Sequence, residues 1–273
     1  MFWHGWLQTR LVRALKIELL EFNHVLDLVP PFYDAIANCA TLEELSLKSV
    51  ALPVPCFPHP LAVRTAAIAY CHVNLKAMFS GLTNVRTLHV SGHILKRSKQ
   101  TANLHLILQL PHLVELKLNN VLHKSMEVLC KAICQSRVRD LDLGDYIVPK
   151  VSETFIESSE HCLGLIGTYL PQWTHLLKLN LRGFFIGTPS AETLGIGISR
   201  AQHLLYLGLR FKNRFDLSLL APYLGQNTAQ TLEMQRCTFH GLFDWFNNGH
   251  SFHQIFANDH LRSLVQELCI ARQ

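Results

Sequence analysis

The sequence has few charged residues and lacks the motifs of common enzymes. Asp, Glu, Lys and Arg make up 16% of its 273 residues, so large parts of the chain are expected to face other protein. It contains no HExxH, GxSxG, P-loop or GxGxxG signature, and the nearest glycine cluster, Gly195 with Gly197, lacks a third glycine. These absences predict a protein that is not an enzyme and needs no cofactor.

Cysteine pairs with metal-binding or redox spacing are also missing. The eight cysteines are scattered, and no two have C-x-x-C spacing. Cys130 and Cys134 lie one helical turn apart in an apolar pattern, where free cysteine behaves as a small hydrophobic residue. We therefore expect buried free thiols and a reducing compartment, which predicts a cytoplasmic or nuclear location.

Histidines cluster near the C-terminus, where His250 and His253 could share one helix face. His240 and His260 belong to the same group, but Asp244 and Asp259 are its only nearby acidic residues and no cysteine lies between its members, so we predict no metal site.

No stretch of about 18 uncharged apolar residues occurs, so we predict no membrane-spanning helix. Charged residues from Arg10 onward interrupt the apolar N-terminal segment, and no small-residue cleavage site follows it. That segment is expected to be folded protein and not a signal peptide.

A recurrent spacing of aliphatic residues is the strongest feature that is present. One aliphatic residue is followed by a second three positions later and by a third two positions after that. The clearest copies are Leu42, Leu45, Leu47; Val85, Leu88, Val90; Leu113, Leu116, Leu118; Val138, Leu141, Leu143; Leu176, Leu179, Leu181; and Leu204, Leu207, Leu209. The alternating end of each copy is typical of a half-buried strand, and its regular return predicts stacked strand-plus-helix units.

Segments of helical spacing lie between these copies, at 32–38, 61–79, 102–109, 154–170, 191–199 and 217–224. Weaker copies centred on Leu15, Leu232 and Leu268 extend the series. Successive parallel strands with right-handed crossovers coil into an arc. We therefore predict an α/β solenoid of horseshoe shape, with a concave parallel sheet, convex helices and about eight to nine repeats. It should form a single domain, 1–273, whose ends near 1–30 and 239–273 are degenerate or capping repeats.

The middle leucines also repeat over a longer distance. Leu179 follows Leu88 by 91 positions, and the next two markers repeat that step. An internal duplication and a chance recurrence of insertions among repeats of about 28 residues both explain the spacing.

Two helix-to-strand junctions carry a family resemblance. The segments 35–47 (AIANCATLEELSL) and 132–143 (AICQSRVRDLDL) resemble leucine-rich repeat proteins of the ribonuclease-inhibitor-like type. F-box leucine-rich receptors and the sensor arms of nucleotide-binding immune receptors share this repeat. The family commonly has Asn or Cys three positions after the third leucine, and among the copies above and the weaker copy at Leu232 only Cys237 matches. We therefore expect less regular repeats than in the family.

Polar residues alternate with the leucines and should form the exposed face of the sheet. The candidate partner-binding residues on this face are Lys117, Asp140, Asp142, Lys178, Asn180, Arg182, Tyr206, Arg210 and Glu233. Their charge is expected to grade from an acidic pair, Asp140 with Asp142, to a basic patch around Tyr206. Tyrosine and arginine are enriched at the hot spots of interfaces, although the same charges could simply solvate an exposed sheet.

Two functions fit this pattern. The first is a non-catalytic module that binds another protein on the concave face. The resemblance to F-box receptors implies a substrate of ubiquitin ligation as the partner. Such receptors carry an F-box domain before the repeats, whereas repeat-like sequence begins here by about Val12, so either that assignment fails or the sequence is a fragment.

The alternative is a binder of nucleic acid or an anionic surface, driven by the formal net charge of +5. The basic residues are not concentrated on one predicted helix, and the run from Lys96 to Lys99 has no interleaved aromatics. The sequence therefore favours a protein partner.

Overall fold

The structure is a computed structural model that describes residues 5–7, 10–20, 29–51, 57–71, 75–92, 104–119, 123–144 and 153–238. The chain divides into two compact units, 1–128 with 135–138 and 129–134 with 139–273. The nine described strands are numbered in chain order and follow the same order in the sheet. That both units belong to one solenoid domain stays a prediction.

The first unit contains five strands that pair in parallel from neighbour to neighbour. They are β1 (Ala14–Glu18), β2 (Glu44–Lys48), β3 (Thr65–Ala69), β4 (Thr87–Ser91) and β5 (Glu115–Asn119). The helices between them are α1 (Val29–Ala37), α2 (Leu75–Gly81) and α3 (Leu104–Leu108), and α4 (His123–Cys134) follows β5.

The second unit contains four strands, again parallel from neighbour to neighbour. They are β6 (Asp140–Gly144), β7 (Lys178–Arg182), β8 (Tyr206–Asp216) and β9 (Thr231–Thr238). The helices are α5 (Glu153–Tyr169), α6 (Thr188–Arg200) and the short α7 (Ala221–Leu224), with 3-10 turns at Leu170–Gln172 and Leu217–Leu219.

The middle aliphatic residues of neighbouring strands lie side by side in each unit. The aligned residues are Leu15, Leu45, Ala66, Leu88 and Leu116 in the first unit, and Leu141, Leu179, Leu207 and Leu232 in the second. None of these side chains is more than 6% exposed. The predicted α/β arrangement of parallel strands and helices is confirmed. The register is fixed because one face of each strand is buried, and a slip of one residue would expose its leucines.

The helix predicted over 61–79 is wrong. Strand β3 occupies part of this range, and α2 begins only at Leu75. The spacing of the other strands persists at Val63, Ala66 and Ile68, all buried, but alanine replaces the middle leucine. A small residue weakens the apolar alternation, so the strand was not recognised in the sequence. The step of 43 positions from Leu45 to Leu88 therefore contains two repeats and not one.

A left-handed turn follows several strands at the same repeat position. Leu19, Ser49 and Tyr70 have φ between 52° and 58°, and Gly92 and Gly183 have φ of 88° and 77°. The backbone N–H of each of the first three residues donates to the carbonyl that ends the next strand, over 2.8–3.0 Å. In these turns a backbone N–H hydrogen-bonds to a backbone carbonyl of the next repeat. Neighbouring repeats are therefore joined here by the backbone, without the asparagine side chains that the family commonly has near this position.

Helices α5 and α6 approach closely because glycine stands at their crossing. A Cβ added to Gly197 would lie 2.7 Å from Cα of Gly167, and a Cβ on Gly167 would lie 2.7 Å from Cα of Leu194. Neither backbone can move aside without separating the helices. The pair Gly195 and Gly197 therefore serves helix packing in this structure.

Several predictions lie outside the described residues. They are the copy at Leu268, the C-terminal cap over 239–273 and the histidines from His240 to His260. Part of the apolar N-terminal segment forms β1. In the described part of the chain, no helix combines the length and the apolar character that crossing a membrane requires.

Candidate functional site

The residues of β6 to β9 that alternate with the buried leucines form what we call the polar face of the second unit. They are Asp140, Asp142, Lys178, Asn180, Arg182, Tyr206, Gly208, Arg210, Thr231 and Glu233. Eight of these ten residues, all except Gly208 and Thr231, were predicted to bind a partner. The parallel register, and not chain order, decides which of them meet.

Asp142 lies at the centre of the first cluster. Its Oδ1 accepts a hydrogen bond from Nε of Arg182 at 2.8 Å, and its Oδ2 accepts one from Nδ2 of Asn180 at 3.3 Å. Asn180 is directly opposite Asp142 on the neighbouring strand, and Arg182 is diagonal to it. Both carboxylate oxygens thus accept a hydrogen bond, which offsets the cost of burying an acid that is only 7% exposed.

Glu233, on β9, lies at the centre of a second cluster at the other side of the face. Its Oε1 accepts from the guanidinium of Arg210, and its Oε2 accepts from the hydroxyl of Tyr206 at 2.5 Å. Burial, and then the adjacent Glu233 carboxylate, raises the pKa of Tyr206 to about 12. The hydroxyl therefore stays protonated and keeps donating at neutral pH.

The two arginines of this face point away from each other. Arg182 and Arg210 are directly opposite in the register, where like charges repel. Arg182 reaches back to Asp142 on β6, whereas Arg210 reaches forward to Glu233 on β9. Each arginine thereby turns away from the other and forms an ion pair with an acid on the strand at its own side, β6 for Arg182 and β9 for Arg210.

Gly208 lies between the two clusters and has no side chain to separate them. It is opposite Asn180 on β7 and opposite Glu233 on β9. A Cβ here would lie 2.5 Å from Oδ1 of Asn180 and 3.2 Å from the ring of Tyr206. Sequence reasoning assigned no role to Gly208, because only the register places it at the centre of the face.

Every basic residue of the predicted patch has an acidic partner. Lys178, the most exposed of them, lies 3.8 Å from Asp140, and the two arginines have the partners described above. From strand to strand, β6 is acidic, β7 and β8 carry the basic residues, and β9 adds the acidic Glu233, so acids flank the basic patch on both sides.

Lys117 is not part of this cluster. It belongs to β5 of the first unit, where its Nζ lies 2.7 Å from Oε1 of Glu115.

Most of the described thiols are buried. Cys39, Cys71, Cys130 and Cys162 are buried and form no disulfide, as expected, and Cys134 is partly exposed. Burial raises the pKa of Cys162 to about 12 and also raises the pKa values of Cys71 and Cys134. Among the residues that the structure describes, no group of three or more His, Cys, Asp or Glu side chains could hold a metal ion.

No protein-family model matches the sequence, and no curated protein matches it.

Proposed function

We propose that this chain is a non-catalytic interaction module whose second unit binds a partner protein on its polar face. The observation that carries this proposal is the pairing of charges around Tyr206, Arg182 and Arg210. Tyrosine and arginine supply large contact areas at interface hot spots. Side chains already held by hydrogen bonds lose less freedom when a partner binds.

The same pairing favours protein over nucleic acid as the partner. Binding to a phosphate backbone depends on basic residues that can release counterions. Lys178, Arg182 and Arg210 are each matched by an acid of this face, which leaves little net positive charge for phosphate. Binding to nucleic acid or an anionic surface is the alternative, and this face does not favour it.

We further propose that the repeats are of the leucine-rich, ribonuclease-inhibitor-like type. Cys71 supports this proposal, because it stands three positions after Ile68, where that family commonly has Asn or Cys. Its thiol donates to the carbonyl of Leu47 on the preceding strand, over 3.3 Å. In this proposal the polar face would line the concave side of a horseshoe, and a substrate of a ubiquitin ligase is one candidate partner.

The test is loss of binding after a change at exposed positions of the face. Reversing Arg182 would leave the buried Asp142 without its main partner, so folding and binding would change together. Lys178 and Thr231 are exposed, and the long Lys178 pair contributes little. The double variant Lys178→Glu, Thr231→Arg therefore alters the face while keeping both clusters.

The control variant, Thr168→Arg with Arg200→Glu, changes net charge equally at exposed helical positions. Proteins captured by the wild type would be purified and titrated by calorimetry against the wild type and both variants. We expect at least about tenfold weaker binding to the face variant and no change for the control. Equal affinity of a purified partner for all three proteins would overturn the proposal.

A further inference from the structure

An exposed residue stands directly before each of the first four strands. These residues are Arg13, Glu43, Arg64 and Arg86, which we call the arginine row. Each arginine follows a buried valine, at Val12, Val63 and Val85. The buried valine fixes the backbone of the repeat, and the next side chain is consequently directed to solvent.

Backbone hydrogen bonds hold the members of the row side by side. The amide of Glu43 donates to the carbonyl of Arg13, that of Arg64 to Glu43, and that of Arg86 to Arg64, each over 2.8 Å. Neighbouring members are thus about one strand spacing apart, roughly 4.8 Å. Arg64 and Arg86 are immediate neighbours.

Among the residues that the structure describes, the guanidinium groups of this row have no partner. In the described portion of the chain, no ion pair or side-chain hydrogen bond involves Arg13, Arg64 or Arg86. The cations on the polar face of the second unit are all matched by acids. Adjacent like charges disfavour folding, so binding of an anionic ligand would relieve the repulsion between neighbouring arginines and stabilise the folded protein.

We propose that the arginine row binds an acidic segment of a partner protein, in extended conformation and running across the strands. Two kinds of polyanion could bind the row, a nucleic acid and an acidic peptide, and Glu43 favours the peptide. A nucleic-acid backbone is negative at every phosphate and would meet the Glu43 carboxylate unfavourably. A peptide can place a basic residue near Glu43 and acidic residues near the arginines at either end of the row.

The geometry sets the length of that segment. Four members separated by three strand spacings cover about 14 Å, which an extended chain crosses in about five residues. Successive side chains of an extended chain alternate between its two sides, so only the first, third and fifth of these residues face the row. A segment of the form Glu-Gly-Lys-Gly-Glu therefore places its glutamates at the two ends of the row and its lysine near Glu43. This surface belongs to the first unit, and the inference stands even if the polar face of the second unit binds nothing.

The test uses the full chain and a fluorescent peptide, Gly-Gly-Glu-Gly-Lys-Gly-Glu-Gly-Gly, titrated by fluorescence anisotropy at about 50 mM salt. A single exposed ion pair changes affinity by less than about fivefold. Arg64→Glu with Arg86→Glu reverses the two charges beside the last glutamate of the peptide, so we expect at least about tenfold weaker binding. The control, Arg200→Glu with Arg214→Glu, changes net charge equally at exposed positions of the second unit and should stay within about twofold.

Two further probes complete the experiment. The isomer with Glu-Gly-Glu-Gly-Lys at its centre should bind more weakly, because its lysine lies near Arg86 and no longer near Glu43. Equal binding of the peptide to wild type and to Arg64→Glu, Arg86→Glu would overturn the proposal. Tighter, row-dependent binding of a single-stranded oligonucleotide would overturn it in favour of nucleic acid, and far-UV circular dichroism would verify that both variants fold.

Discussion

Replacing Asp142 with Asn tests whether paired charges hold the polar face together. The substitution keeps the size of the side chain and removes its charge. Arg182 and Asn180 each donate to one oxygen of the native carboxylate. An asparagine has only one oxygen, so one of these two donors must lose its acceptor whichever way the amide is turned.

The magnitude follows from burial and distance. The side chain of Asp142 is 10% exposed, and Arg182, at 34%, lies 2.8 Å away. A hydrogen bond between charged groups is worth about 1.5–3 kcal/mol, and the solvent around Arg182 lowers the expected cost to about 2 kcal/mol. Asp140→Asn is the matched control on the same strand. Its partner Lys178 is 58% exposed and 3.8 Å away, so this change should cost less than about 0.5 kcal/mol.

Urea unfolding at pH 7, followed by circular dichroism, measures both variants. A double-mutant cycle of Asp142→Asn with Arg182→Gln should give a coupling of about 1–2 kcal/mol. If Asp142→Asn costs no more than Asp140→Asn, the clusters do not hold this face, and the preference for a protein partner loses its basis.

Three further outcomes are expected. Gly197→Ala should destabilise the protein by more than about 1 kcal/mol in urea unfolding because a Cβ meets the facing helix, whereas Gly164→Ala, which has no atom within 4 Å of its Cβ, should stabilise it. Asn227→Ala should lower stability by about 2–3 kcal/mol in the same assay, because the buried amide donates to two carbonyls at the end of α6 and accepts from a buried N–H. The hydroxyl of Tyr206 has a pKa of about 12 in the fold and about 10 when unfolded, so its contribution is complete below pH 10 and is lost as pH rises to about 12. The unfolding free energy of wild type should therefore fall more steeply across that range than that of Tyr206→Phe, and parallel declines would contradict this.

The leucine spacing predicted most strands because each repeat places bulky aliphatic residues on one face. Strand β3 was missed for a local reason, since Ala66 fills its buried position with too little apolar volume to mark the repeat. The turn positions carried a weaker signal. Gly92 and Gly183 suit left-handed backbone, whereas Leu19, Ser49 and Tyr70 adopt it only because tertiary hydrogen bonds compensate the strain.

The polar face was predictable in membership and not in pairing. Alternation along a strand places Asp142, Arg182 and Glu233 on the same side as their polar neighbours. Which acid meets which base depends on register and on the direction each long side chain takes, and a single sequence specifies neither. The arginine row had a sequence signal, the repeated Val-Arg pair, but its regularity is visible only once β3 is recognised.

Both proposed surfaces depend on the parallel pairing and register of neighbouring strands. Cross-strand nuclear Overhauser effects, measured on deuterated and selectively protonated protein, test that pairing. We expect contacts linking Leu45 to Ala66, Ala66 to Leu88, and Leu179 to Leu207, in the parallel pattern of amide to Hα. Close Hα–Hα pairs between these strands, or contacts that skip Ala66, would show antiparallel pairing or a different register and would remove the basis for both surfaces.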